Sequence, residues 1–289
     1  MRKELSIILM LVFLVGLAVA VERVAVSIVP QKTFVKAVAG ERVEVITMIP
    51  PGYSPANYAP DTRQLMAFSD ASVYFTIGVP AEESNILPRI AKLNQEVRIV
   101  PLEGIVNERY EPRYFSGGSI DPHIWLSPKR VIVMIEVIEE KLSELMPDQS
   151  GFFKKNAADY IGKLEATDEV IKEKLSNIET QSFFVYHPSF GYFAQDYGLK
   201  MYAVEQNGKA PSPKRLSELI DLAGDQNIGV IFYQPEIDSR QTRIFASEID
   251  GVAKEIDPLA SNYIDNLLDM ADTFLEYLNN TNNKAGEAD

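Results

Sequence analysis

Short Val- and Ile-rich runs alternate with helix-like segments along the first part of the chain. Val24 to Val29, Val43 to Ile49, Val73 to Ile77 and Val97 to Val100 are four to seven residues each, the signature of strands in a covered sheet. Between them lie segments such as Lys32 to Ala39, which read as helices. This alternation predicts a parallel α/β sheet. The pattern then changes. Ser127-Pro128 reads as an N-cap with Pro at the first helical position, followed by Val131, Met134, Ile135, Ile138 and Leu142 at helical spacing up to Pro147. From Phe152 to Ile178, Phe153, Ala157, Tyr160, Ile161, Leu164, Ile171 and Leu175 write a second helix, free of Pro and interrupted by Gly162 alone. At 1.5 Å per residue it is about 40 Å long, more than a crossover in one small domain requires. It is expected to tie two lobes together.

After this helix the alternation restarts with Phe183 to Tyr186, Phe190 to Tyr197, Lys200 to Val204, Ser212 to Ala223, Val230 to Tyr233, Arg240 to Ile249 and Val252 to Ile256. A final helix starts at Asn262. The expected fold is therefore α/β, two lobes with parallel sheets joined by a single long rigid helix. A first lobe over 21–150, a connecting helix over 151–179 and a second lobe over 180–279 are followed by a polar tail, 280–289, expected to be disordered.

Residues 1–20 read as an export signal: Arg2 and Lys3 precede an apolar run from Leu5 to Val21, which meets the small-x-small pattern at Ala18-Val19-Ala20. An uncleaved N-terminal anchor is the rival reading, at the short edge of what spans a bilayer core of about 30 Å. Either way the mature chain is expected outside the cytoplasm, secreted, periplasmic or on the outer face of the membrane. The chain has no cysteine, so it is not a Cys-linked lipoprotein, and no disulfide or thiolate metal site can form.

The charge balance narrows the classes further. With 28 Lys+Arg against 41 Asp+Glu, the net charge is −13, and no Lys/Arg-rich patch appears in the sequence, which disfavours a nucleic-acid surface and its basic stripe. There are two histidines, His123 and His187, so any imidazole chemistry must use these. His123 lies in Asp121-Pro122-His123-Ile124-Trp125-Leu126, a loop feeding a helix. His187 follows a strand directly, and Asp257, in Ile256-Asp257-Pro258-Leu259, is placed in the same way. In an open parallel sheet the ligand crevice lies outside the carboxyl ends of the strands. Two imidazoles and a carboxylate on such rims can converge as an N/O site for a divalent metal. They can equally be hydrogen-bonded residues, with Asp257-Pro258 starting an Asx turn; spacing alone leaves both readings open.

The sequence resembles the metal-specific solute-binding proteins of ABC importers for zinc and manganese. The likeness rests on Ser27-Ile28-Val29-Pro30, on Pro50-Pro51-Gly52-Tyr53-Ser54-Pro55 with Tyr58 and Pro60, and on Asp121 to Pro128. It continues in Tyr186-His187-Pro188-Ser189-Phe190-Gly191-Tyr192-Phe193 and Ile256-Asp257-Pro258-Leu259. The resemblance implies a metal held between two lobes by His123, His187 and Asp257. One usual ligand is missing, because Ala56 stands where such proteins carry His in Ser54-Pro55-Ala56-Asn57-Tyr58; Asn57, Asp61 and Glu205 are candidates to fill the gap. Gln234 also stands where Glu is frequent.

The implied function is that of a monomeric receptor, not an enzyme. It would capture a divalent ion, Zn²⁺ before Mn²⁺ or Fe²⁺, and deliver it to an ABC-type membrane permease. A binding protein of the same fold for a chelated metal or small anion is the first alternative. An extracellular metallohydrolase is the second, weakened by the lack of an H-E-x-x-H or G-x-S-x-G motif.

Overall fold

The Val- and Ile-rich runs form strands, and the segments between them form the helices that cover them. The computed structural model describes residues 21–279 apart from 207, 237 and 238; the expected export signal and polar tail lie outside the described residues. The first half consists of β1 (Glu22–Val26), α1 (Val29–Ala39), β2 (Val43–Thr47), α2 (Thr62–Phe68) and β3 (Val73–Thr76). A π-helical turn over Glu82–Ile86 then leads into α3 (Leu87–Ile90), β4 (Arg98–Pro101) and α4 (Leu102–Arg109). After α5 (Pro128–Leu145) and the long α6 (Ser150–Leu175), the second half runs β5 (Ser182–Val185), α7 (Gly191–Asp196), β6 (Lys200–Ala203) and α8 (Pro213–Gln226). It closes with β7 (Val230–Tyr233), α9 (Ser239–Glu248), β8 (Val252–Glu255) and α10 (Tyr263–Asn279).

Each half builds one four-stranded sheet, in the orders β2-β1-β3-β4 and β6-β5-β7-β8. Every pairing is parallel. The two halves thus repeat one topology, and the order reverses beside β1 and beside β5, the switch points where such sheets open a crevice.

Two boundaries differ from the sequence reading for local reasons. The first strand stops at Val26 rather than Val29, because the side-chain oxygen of Gln31 accepts the N–H groups of Ser27 and Ile28 at 2.9 and 3.1 Å and turns the chain into α1. Pro30 in the first turn favours that start. The long helix ends at Leu175, three residues before Ile178. Its 26 residues still span about 39 Å, packing on α1 and α5 from the first half and on α10 from the second.

One apolar cluster runs through both sheets, from Val24 and Phe75 to Phe183, Phe232 and Phe274. The ring of Phe274, on α10, meets Phe183, Phe190, Phe193 and Phe232 at centroid distances of 4.8 to 6.0 Å. Tyr192, Phe193 and Tyr197 are buried as well. A continuous close-packed core of this kind ties the lobes into one body, since interiors resist small volume changes.

A buried carboxylate shapes the end of β3. Glu82 accepts the N–H groups of Ile77 and Gly78 at 2.9 and 2.8 Å and the Ser27 hydroxyl, pinning the β3 exit to the β1 exit. Gly78 is needed there: its φ is +81°, and a Cβ would sit 2.9 Å from the Glu103 side chain. Burial, reinforced by Glu103, raises Glu82 to about 7 against these hydrogen bonds. A carboxyl raised in the folded state contributes stability that is present below its unfolded value and lost as pH rises through about 7. Unfolding the metal-free protein in urea should therefore show the Glu82 contribution falling by about 3 kcal/mol between pH 4.5 and 7.5. Glu82→Gln should flatten that part of the slope, and an unchanged slope would contradict the assignment.

Candidate metal site

The cavity residues all follow the carboxyl ends of strands or lie in the loop before α5. A cavity of about 370 Å³ is lined by Ser54, Ala56 and Asn57 after β2, and by Gly78 and Val79 after β3. His187 and Ser189 follow β5, Glu205 follows β6, Gln234 and Glu236 follow β7, and Pro258 follows β8. His123 and Trp125 enter from the loop ahead of α5. Both sheets therefore present the ends that the topology predicts.

The two histidines meet across the cleft with Nε2 atoms 3.3 Å apart. Each ring is held from behind by a carboxylate. His123 Nδ1 lies 2.7 Å from Asp121 Oδ1, and His187 Nδ1 lies 2.5 Å from Glu205 Oε1. An ionised carboxylate only accepts, so each Nδ1 carries the proton and donates it. Both Nε2 lone pairs are then free and aimed at one region, the arrangement in which a carboxylate orients a metal-binding imidazole. Burial lowers the His123 pKa from its ordinary value near 6.5 even though Asp121 pulls it upward, which favours the neutral, ligating form.

The loop that carries His123 belongs to the first half by sequence but is bolted to the second. Trp125 Nε1 donates to Pro258 O at 2.8 Å, and Tyr263 Oη donates to Trp125 O at 2.6 Å. Tyr192 Oη donates to Asp121 O at 3.1 Å and accepts from Arg113 N at 3.0 Å. At the start of α5, Ser127 corrects the simple capping expectation: it holds the N-cap position without a capping hydrogen bond, and its hydroxyl donates to Asp196 at 2.5 Å. Lys129 and Arg130 converge on the same buried Asp196 carboxylate. These ties fix where His123 stands relative to His187.

The other expected residues fall in different places. Glu205 reaches the cavity as the partner of the His187 ring. Asn57 lines the wall. Asp61 does not line the cavity; it caps α2, accepting Gln64 N–H at 2.9 Å while the Gln64 side chain accepts Asp61 N–H at 3.1 Å. Asp257 does not line the cavity although Pro258 and Leu259 do; its Oδ1 accepts Leu259 N–H at 2.7 Å in an Asx turn. Among the described residues, no three His, Cys, Asp or Glu side chains stand grouped as a metal site; the two imidazoles are the pair of candidate ligands that the fold brings together. Sequence reasoning missed Glu236, the orienting role of Asp121 and the Asp196 junction. Only Asp121, two residues before His123, carried a local signal, as an acid beside a candidate ligand.

The parallel α/β lobes, the shared core and the paired imidazoles in the cleft define a two-lobed binding protein with a rigid connecting helix. A profile of the family described as "Zinc-uptake complex component A periplasmic", ZnuA, matches residues 24–280, and the chain belongs to that family. It is 30% identical over 249 residues to the zinc-binding lipoprotein AdcA of Streptococcus pneumoniae serotype 4, covering 80% of this chain and 49% of that protein. The chain thus spans about half the length of the streptococcal relatives it matches. A putative metal-binding protein of Chlamydia trachomatis serovar D is 26% identical over 254 residues, covering 88% of this chain and 90% of its own length. The crystal structure of a ZnuA superposes with a TM-score of 0.83 at 30% identity, covering 89% of this chain and 98% of that one.

The closeness of the lobes gives a direct test. Gly191 opens α7 against the Arg113–Asp121 pair, and a Cβ there would lie 2.6 Å from Arg113 Nε and 2.7 Å from Asp121 Oδ2. Gly191→Ala should cost about 1–3 kcal/mol in urea unfolding through overpacking. Gly162→Ala, on an open face of α6, should instead gain about 0.5–1 kcal/mol. Equal effects at the two sites would refute a tight junction at Gly191.

Proposed function

We propose that this protein is an extracytoplasmic receptor that captures one divalent metal ion between its lobes, Zn²⁺ before Mn²⁺ or Fe²⁺, and passes it to an ABC-type permease. The observation that carries this reading is the 3.3 Å separation of the two Nε2 atoms. Two nitrogens at about 2.0–2.1 Å from one tetrahedral zinc stand about 3.3–3.4 Å apart. The imidazoles are therefore preorganised as one edge of a zinc tetrahedron, with the tautomers already set by Asp121 and Glu205. Asp257 adds carboxylate charge to the same rim, since it acts electrostatically on Glu236 in the cavity wall.

The zinc names of the streptococcal relatives support this choice of cargo. Extracytoplasmic placement agrees with the periplasmic family description. No helix among the described residues is long and apolar enough to cross a membrane. A cavity of about 370 Å³ exceeds the space a bare ion needs, which keeps a chelated metal as the second reading.

Equilibrium dialysis of the mature protein against zinc should give one bound ion per chain at micromolar concentrations. His123→Ala and His187→Ala should each weaken binding by more than about 100-fold, beyond the 10–100-fold that altering a ligand's hydrogen-bond partner typically costs. Stoichiometric retention of zinc by the double variant would refute the site. Retention of a metal chelate, with no affinity for the free ion, would favour the second reading.

A further inference from the structure

One carboxylate oxygen steers the His123 ring. Asp121 Oδ1 accepts His123 N–H at 3.0 Å and the ring Nδ1–H at 2.7 Å, so the direction of the imidazole follows the place of this carboxylate. Its other oxygen, Oδ2, faces Arg113 Nε at 3.7 Å. Asp121 is 1% exposed, and a carboxylate taken out of water needs a counter-charge close by. Arg113 Nε is itself buried and makes no hydrogen bond, a donor held beside that oxygen with no other acceptor.

The pair is fixed from both halves of the chain. Arg113 and Asp121 close the base of a hairpin, in which Asp121 N–H donates to Arg113 O at 2.9 Å and Tyr114 bridges to Ile120. Helix α7 of the second half clamps this base. Tyr192 Oη accepts from Arg113 N and donates to Asp121 O, and Arg113 Nη1 donates to Gln195 Oε1 at 3.3 Å. Gly191 leaves the space that the guanidinium fills, since a Cβ there would lie 2.6 Å from Arg113 Nε.

We propose that Arg113 is a positioning residue for His123: anchored on α7, its guanidinium holds the Asp121 carboxylate against the imidazole and so sets where Nε2 points in the cleft. This rests on the two-histidine reading above and gives the second half control over a ligand carried by a first-half loop. A guanidinium fork can serve Gln195 and the carboxylate together, which the point charge of a lysine does less well. His187 is oriented separately, by Glu205, and is the internal control.

Nitrogen-15 NMR of the metal-free histidine rings, with calorimetric titration of Zn²⁺, tests this in the wild type, Arg113→Met and Arg113→Lys. Arg113→Met should weaken zinc binding about tenfold, the low end of what losing an outer partner of a ligand costs. It should also shift the His123 ring signals while leaving those of His187 in place. Arg113→Lys should recover part of both changes. Gly191→Ala presses on the same pair without removing a charge, so it should move the His123 signals as well, and it reads the contact if Arg113→Met does not fold. Zinc affinity in Arg113→Met within about twofold of the wild type, equal shifts at both histidines, or unmoved His123 signals in Gly191→Ala would overturn the assignment and leave the two-histidine site standing. If the wild type binds no zinc, the receptor reading falls, and the metal-free ring signals still decide whether Arg113 holds Asp121 against His123.

Discussion

Two imidazoles whose Nε2 atoms stand 3.3 Å apart repel wherever both present lone pairs, and the structure is organised to hold them there. Carboxylates behind each ring, Asp121 and Glu205, keep the protons on Nδ1, so neither ring can relieve the contact by presenting an N–H to the other. The surrounding protein must supply the energy for this arrangement. It does so through the buried core common to both sheets and through the junction at Asp196, where Ser127, Lys129 and Arg130 converge.

By touching α1 and α5 on one side and α10 on the other, the rigid helix α6 sets the distance between two sheets whose carboxyl ends face the same cleft. A hinge there would let the imidazoles separate and would lose the preorganisation that makes two ligands useful. The tyrosine and tryptophan hydrogen bonds across the lobes serve the same end, locking the His123 loop onto the second sheet. The two halves are thus held as one body, with the histidines already close.

Much of the fold was legible in the sequence, because strand and helix periodicities are local. Parallel sheets followed from alternation, and the long helix from a Pro-free amphipathic run. The boundary at Val26 was not legible, since it depends on Gln31 folding back onto the chain. His123 and His187 were readable because both sit in specific motifs at strand or helix ends. Asp61 was placed among the candidate ligands although Asp61-Thr62-Arg63-Gln64 matches the capping pattern it adopts. Asp196 could not be read at all, because its importance arises only when chain segments distant in sequence are brought together.

Both rings are expected to hold their proton on Nδ1 and offer Nε2 to one ion. Nitrogen-15 NMR of the histidine rings, with and without one equivalent of Zn²⁺, tests it most directly. Both metal-free rings at neutral pH should carry the proton on Nδ1, and both Nε2 signals should shift together at one zinc per chain while both Nδ1 protons remain. A ring protonated on Nε2 in the metal-free protein, or a zinc response confined to one histidine, would contradict it.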